Sequence, residues 1–264
     1  LKYGTQFSAT GQLMTRQRYD GSHNPELMMA FAKWQATPSL ALRVGRMPTP
    51  VFLISDSRSV GYSQTLLRPP IEVYHLFSFF HFDGADLTWT TNVNGTALKS
   101  QFYVGSTEAK LPDDATLKSK SIMGANLTAE MGDLTLRASY MSSKVTVTSP
   151  GLDLGFQTVR NVFMNPALAD QYSLTDRRGA YTSLGLNYDP GNWFVTSEIG
   201  IVSEFGAVPK QVTAYLTGGM RFGAFTPYAT IASIEQSIAG TTTNNAVIDK
   251  IRVDLSSGSQ KSLG

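Results

Sequence analysis

The sequence predicts an all-β fold, a transmembrane antiparallel β-barrel, and three observations carry that reading. Apolar and polar residues alternate over long stretches, helical periodicity is scarce, and the connections between stretches alternate short and long. Period two over about nine residues means a long strand with one apolar and one polar face. Such strands exceed the usual five or six residues of soluble sheets and match what a tilted strand needs to cross a bilayer. Short turns on one side and long loops on the other is the layout of membrane barrels.

About twelve strands can be marked, at 3–18, 26–35, 39–47, 84–93, 96–105, 119–131, 133–147, 179–188, 192–204, 210–222, 225–236 and 248–256. In Ala85–Val93 the residues Leu87, Trp89, Thr91 and Val93 oppose Asp86, Thr88, Thr90 and Asn92. In Leu98–Val104, Phe102 and Val104 oppose Lys99, Gln101 and Tyr103. Leu134–Met141, Trp193–Ile201 and Val212–Phe222 repeat the pattern. The short links are 36–38, Asn94-Gly95, 131–133, Asp189-Pro190-Gly191 and Gly223-Ala224, whose Asn-Gly and Pro-Gly pairs are turn formers. The long ones are 19–25, 48–83, 106–118, 148–178, 205–209 and 237–247. No linker or long repeat divides the chain, so 1–264 reads as one barrel domain.

Composition agrees and removes other classes. Of 264 residues only 16% are charged and the net charge is +2, against about 25% charged in soluble domains. No basic block stands out, so nucleic acid is not an expected partner. There is no cysteine, hence no disulfide frame and no thiol nucleophile. No apolar run reaches the ~18 residues of a membrane helix, which says nothing against strands. His23, His75 and His81 have no metal-ligand spacing and read as surface histidines. Gly61-Tyr62-Ser63-Gln64-Thr65 lacks the second glycine of a nucleophile elbow, and Asp113-Asp114 reads as a solvated turn. Neither a cofactor nor an enzymatic activity is expected.

The stretch Phe31–Met47, FAKWQATPSLALRVGRM, is a strand, a tight turn and a strand ending in Arg-Val-Gly-Arg just before a long loop. It resembles the porins of Gram-negative outer membranes. QFSATGQLMTRQRYDGSHNPELMMAF is similar to the early hairpin of that family, and SDSRSVGYSQTLLRPPIEVY to its inward loop. The resemblance implies a passive diffusion channel for small hydrophilic solutes and ions, a homotrimer among outer-membrane lipid and lipopolysaccharide, and a loop, 48–83, that folds inward and narrows the pore. It also implies sixteen strands in a complete barrel. A family hairpin before Tyr3 and a final strand ending in an aromatic are missing, so the chain reads as a part of that barrel, with a new strand beginning at Gln260. A twelve-stranded barrel is the reading if the chain is complete.

Within that frame, Val51, Phe52, Leu53 and Ile54 would pack the loop on the wall, and Asp56, Arg58, Arg68 and Glu72 would line the constriction, the alternative being that Asp56 and Arg58 only pin the loop to the wall by ion pairing. If the apolar face meets lipid, parity turns Arg16, Arg18, Lys33, Arg43, Lys99, Lys120, Arg137 and Arg221 inward, against Asp86, Glu130 and Glu198. The basic excess suggests a mild anion preference. Strict alternation puts Arg46 opposite Arg43, whereas the family motif places it at the pore, and a bulge at Gly45 would reconcile the two. Trp34, Tyr188, Trp193 and Phe222 lie beside the short turns and fit an interfacial aromatic girdle. Two other readings stay open. One is a structural or adhesive barrel that binds a partner through its loops, with Tyr172, Arg177 and Arg178 as contacts. The other is a soluble β-sandwich of lectin type.

Overall fold

The computed structural model describes residues 2–15, 23–55, 69–74, 76–237, 243–255 and 260–263. Within them runs one sheet of thirteen strands in unbroken sequence order, every neighbour antiparallel. The strands are β1 (Lys2–Tyr3), β2 (Phe7–Met14), β3 (Glu26–Thr37), β4 (Leu40–Pro48), β5 (His81–Val93), β6 (Thr96–Lys110), β7 (Thr116–Met131), β8 (Leu134–Thr148), β9 (Arg177–Tyr188), β10 (Trp193–Val202), β11 (Lys210–Met220), β12 (Tyr228–Ser237) and β13 (Gln260–Leu263). Among the described residues, four helices sit in the long connections: α1 (Ile71–Tyr74), α2 (Pro150–Asn161), α3 (Pro166–Tyr172) and α4 (Ala246–Leu255).

The alternation of the sequence becomes an inside-out sheet. On β6, Phe102 is 57% exposed and Tyr103 only 2%. Leu87, Trp89, Val104, Leu127, Leu136, Leu184, Ile199 and Leu216 are exposed, whereas Asp86, Gln101, Asn126, Arg137, Ser183, Glu198 and Thr213 are buried. Water would reverse that arrangement, because exposing apolar surface costs about 25 cal/mol per Å². A hydrocarbon surround removes the cost and makes the inner face the polar one. The soluble sandwich, which buries its apolar faces, is excluded by the same observation.

Tight turns close the short side. Asn94 and Gly95 both have positive φ, 50° and 84°, as a two-residue hairpin turn requires. The sequence expectations need correction in three places. The segment 3–18 is broken by a turn at Gly4, with φ 64°, into β1 and β2. The 106–118 connection is mostly strand, because β6 and β7 extend to Lys110 and Thr116. The expected strand 248–256 is helical in its described part: residues 248–255 lie in α4, which the Asn245 carboxamide starts by accepting from the Val247 and Ile248 amides.

The long 149–176 connection is likewise helical. Asn165 caps α3 by accepting from Leu168 N–H, with Pro166 in the first turn. Val159 of α2, Ala169 of α3 and Ile248 of α4 form a buried core, extended by Phe156, Tyr172 and Val247. Two loops from separate parts of the sheet thus fuse into one small roof. Gly155 gives it close packing, since a Cβ there would come 2.9 Å from Ile251 Cδ1.

Gly45, Gly84 and Gly105 stand directly opposite one another on β4, β5 and β6. A Cβ on each would lie 2.3, 2.0 and 2.4 Å from a backbone oxygen of the adjacent strand. The row is therefore fixed by strand approach. Gly84→Val should cost at least about 3 kcal/mol, the upper range for overpacking, and reduce the yield of heat-resistant folded barrel on gels. Gly11→Val, where a Cβ meets nothing within 4 Å, should leave that yield unchanged.

Candidate functional site

The chain leaves β4 at Pro48 and turns to the inner face of the sheet. Residues 49–54 form a strap that crosses the wall strand by strand. Pro50, having no N–H, offers only its carbonyl. That oxygen accepts from Asn126 Nδ2 of β7 at 3.1 Å and from Arg137 Nη2 of β8 at 2.8 Å. The Val51 carbonyl accepts from Ser183 Oγ of β9 at 2.9 Å. The Leu53 amide donates to both carboxylate oxygens of Glu198 on β10 at 3.2 Å. Gly185 makes room for the strap, since a Cβ there would lie 3.2 Å from Leu53 Cβ.

Apolar side chains bring the loop's far end back to the same wall. Val51, Phe52, Val73 and Tyr74 are buried with Phe82, Tyr103, Met141, Tyr181 and Tyr215. Phe52 packs tilted against Tyr74 at 4.8 Å and edge to face with Tyr181 at 5.6 Å, ring centre to ring centre. Tyr74 of α1 donates to Glu198 at 2.9 Å. Burial, then the neighbouring carboxylate, push the Tyr74 phenol well above its ordinary pKa, so it stays a donor. Glu198 thus holds both limbs of the loop, one at Leu53 and the other at Tyr74. It is 1% exposed.

A second network runs along the wall beneath the strap. Arg43 Nη2 meets Asp86 Oδ2 at 2.5 Å, with Nε 3.0 Å from both oxygens. Gln101 donates to the same carboxylate at 2.8 Å and accepts from Asn126 at 3.0 Å. Asn126 then reaches Pro50. The chain of bonds from Arg43 to the strap therefore crosses β4, β5, β6 and β7.

Of the residues expected at the pore, Arg16, Arg18, Asp56, Arg58 and Arg68 lie outside the described residues. Glu72 is buried in α1. Lys33 and Lys99 are half-buried on the inner-facing positions of β3 and β6. Arg43, Arg137 and Arg221 have structural partners: Asp86, the Pro50 carbonyl and Asp189, respectively. The Arg221 pair joins the end of β11 to the β9–β10 turn and holds the Asp189 carboxyl below its usual range.

The expected bulge at Gly45 and the parity reading of Lys120 are corrected. The pairing of β4 with β3 and β5 passes through Gly45 without a shift. Arg46 therefore shares the outward face with Val44, where it bonds Asp83 at 2.7 Å. Lys120 is also outward, because a bulge with Ser121 at φ 50° shifts the register between Lys120 and Met123. Trp34, Tyr188, Trp193 and Phe222 are exposed at the short-turn ends, with Tyr188 and Trp193 edge to face at 5.2 Å. Of the suggested loop contacts, Tyr172 lies under the Arg252 guanidinium and Arg177 is bonded to the Ser173 carbonyl. Arg178 is exposed. Among the described residues no cluster of three or more acidic or histidine side chains could hold a metal.

No protein-family model and no curated protein matches the chain. Solved structures do. The structure titled Salmonella typhi OmpF complex with Daunomycin aligns with a TM-score of 0.60 at 14% identity, over 93% of this chain and 70% of that one. A loop-deleted OmpT, an outer membrane protein of Vibrio cholerae, aligns at 0.38 and 10% identity, over 90% and 83%. Pseudomonas aeruginosa OpdQ aligns at 0.32 and 9%, over 89% and 73%. The fold is that of an outer-membrane β-barrel, and the outward apolar belt suits the chain to that membrane.

Two variants measure the ties. Asp86→Ala removes the buried carboxylate that Arg43 and Gln101 both bond and should destabilise the barrel by about 3 kcal/mol, read by urea unfolding. Glu198→Ala should leave the sheet folded but make limited proteolysis within 49–74 faster than in wild type. Equal cleavage would refute Glu198 as the latch.

Proposed function

We propose that the chain forms a water-filled outer-membrane channel, narrowed by the inward loop 48–83, for passive diffusion of small hydrophilic solutes and ions. The observation that supports it best is the strap, bonded through Pro50, Val51 and Leu53 to four consecutive strands on the polar face of the wall. A barrel stabilised by a packed interior has no need to fold a polar, charge-bearing loop inward. A channel that must exclude large solutes does.

The barrel has sixteen strands and assembles as a homotrimer. Its ion preference is mildly anionic. Arg43, Arg137 and Arg221 contribute less to the field than a count of charges suggests, since acids or a carbonyl engage them. Lys33, Lys99 and the charges of 56–72 add to it. No enzymatic step and no cofactor belongs to this reading.

A structural or adhesive barrel is the second reading. The roof favours it, because Leu154, Val162, Phe163 and Met164 are exposed there, Met164 at 79%. Long external loops often carry function.

Planar-bilayer recording of the purified full-length protein in a salt gradient tests the first reading. Conductance steps in groups of three and a reversal potential of the anion-selective sign are expected. Lys33→Glu with Lys99→Glu should move that potential toward cation selectivity, and deletion of 56–68 should enlarge each step. Correctly inserted protein that never conducts would overturn the channel. Loss of surface binding on trimming 150–175 would then support adhesion.

A further inference from the structure

We propose that the outer wall at the long-loop ends of β7, β8 and β9 binds the phosphate-bearing headgroup of a lipid in the surrounding leaflet, through Lys120, Lys144 and Arg178. In the observed register Lys120 stands directly opposite Lys144, and Lys144 directly opposite Arg178. Neighbouring strands are about 5 Å apart, so three cations occupy about 10 Å of wall. Like charges set opposite each other destabilise a sheet. A row of three on one level needs a compensating anion.

The protein supplies little of that anion. Lys144 meets Asp176 at 3.4 Å and Lys118 meets Glu108 at 3.2 Å. Lys120 and Arg178 have no ion-pair partner among the described residues. Asp113 and Asp114 lie in the turn beyond Thr116, four strand residues or about 13 Å past Lys120. Salt screens charges at that distance. Lys110, at the end of β6, adds a further cation to the same end of the wall.

The row also faces the right way. Ser119, Val145 and Gly179, adjacent along the three strands, are buried on the inner face. Lys120, Lys144 and Arg178 therefore point outward, on the same face as Met123, Tyr140 and Leu184, which begin the apolar belt one to three side chains farther down. The bulge at Ser121 creates this alignment. Counted back from Asn126 and Thr128, unbroken alternation would turn Lys120 into the lumen and leave Lys144 and Arg178 as a pair. An occupant that touches both the cations and the belt below them must be amphiphilic, with the anion uppermost, as a phosphorylated lipid is and a free anion is not.

This inference rests on the outer-membrane placement and not on conduction, so bilayer recordings fail or succeed independently of it. The test titrates protein in neutral detergent with lipopolysaccharide and follows the unfolding temperature. The variant Lys120→Gln, Lys144→Gln, Arg178→Gln should need about a hundredfold more lipid for half-maximal stabilisation, at about fivefold for each cation removed. Without lipid it should be at least as heat-stable as wild type, since repulsion is relieved, and this separates lost binding from misfolding. Lys33→Gln with Lys99→Gln should keep wild-type affinity, and inorganic phosphate at equal phosphorus should not stabilise either protein. A triple variant that responds to lipid as wild type does, or inorganic phosphate that matches the lipid, would overturn the proposal.

Discussion

The Pro50 carbonyl is the point on which the interior of this barrel turns. It takes two hydrogen bonds, one from a neutral amide and one from a guanidinium, on adjacent strands. Such charge-assisted bonds are the stronger kind, and a buried acceptor without them is costly. The proline also removes an amide that the wall would otherwise have to satisfy. From that anchor the direction of the strap is set, and Val51 and Leu53 fall beside Ser183 and Glu198. The aromatic cluster around Phe52 follows, because its ring is carried to Tyr74 and Tyr181 by a backbone already held on both sides.

The two polar networks divide the wall. One begins at Arg43–Asp86 and ends at Pro50; the other is centred on Glu198. The strap joins them, so it is itself a cross-brace between β4–β8 and β9–β11. This explains why so many charged side chains on the inner face have structural partners. Charges at a buried position are paired or hydrogen-bonded whatever else they do, and an inner face crossed by the strap buries many of them.

The strands were largely legible in the sequence, because lipid on one side and a polar interior on the other impose period two. The asymmetry of turns and loops was legible for the same reason. What escaped depended on single residues. Ser121 carries no sign of a positive φ, yet it reverses Lys120. Gly45 invited a bulge, but there the glycine serves close strand approach with the register intact. In α4 the spacing of Val247, Ile248 and Ile251, with Asn245 before them, is a helix start hidden in a segment short enough to pass as a strand. The strap's bonds were not legible at all, since backbone carbonyls and amides carry no sequence signature and their partners lie 76 to 145 residues away.

That separation orders assembly. Leu53 cannot meet Glu198 until β10 exists, 145 residues later, whereas each hairpin of the wall needs only its neighbour. Closing so long a loop is entropically slow. The segment after β4 must therefore wait while the strands behind it zip together, and dock afterwards. The strap is seated last, on a wall already standing.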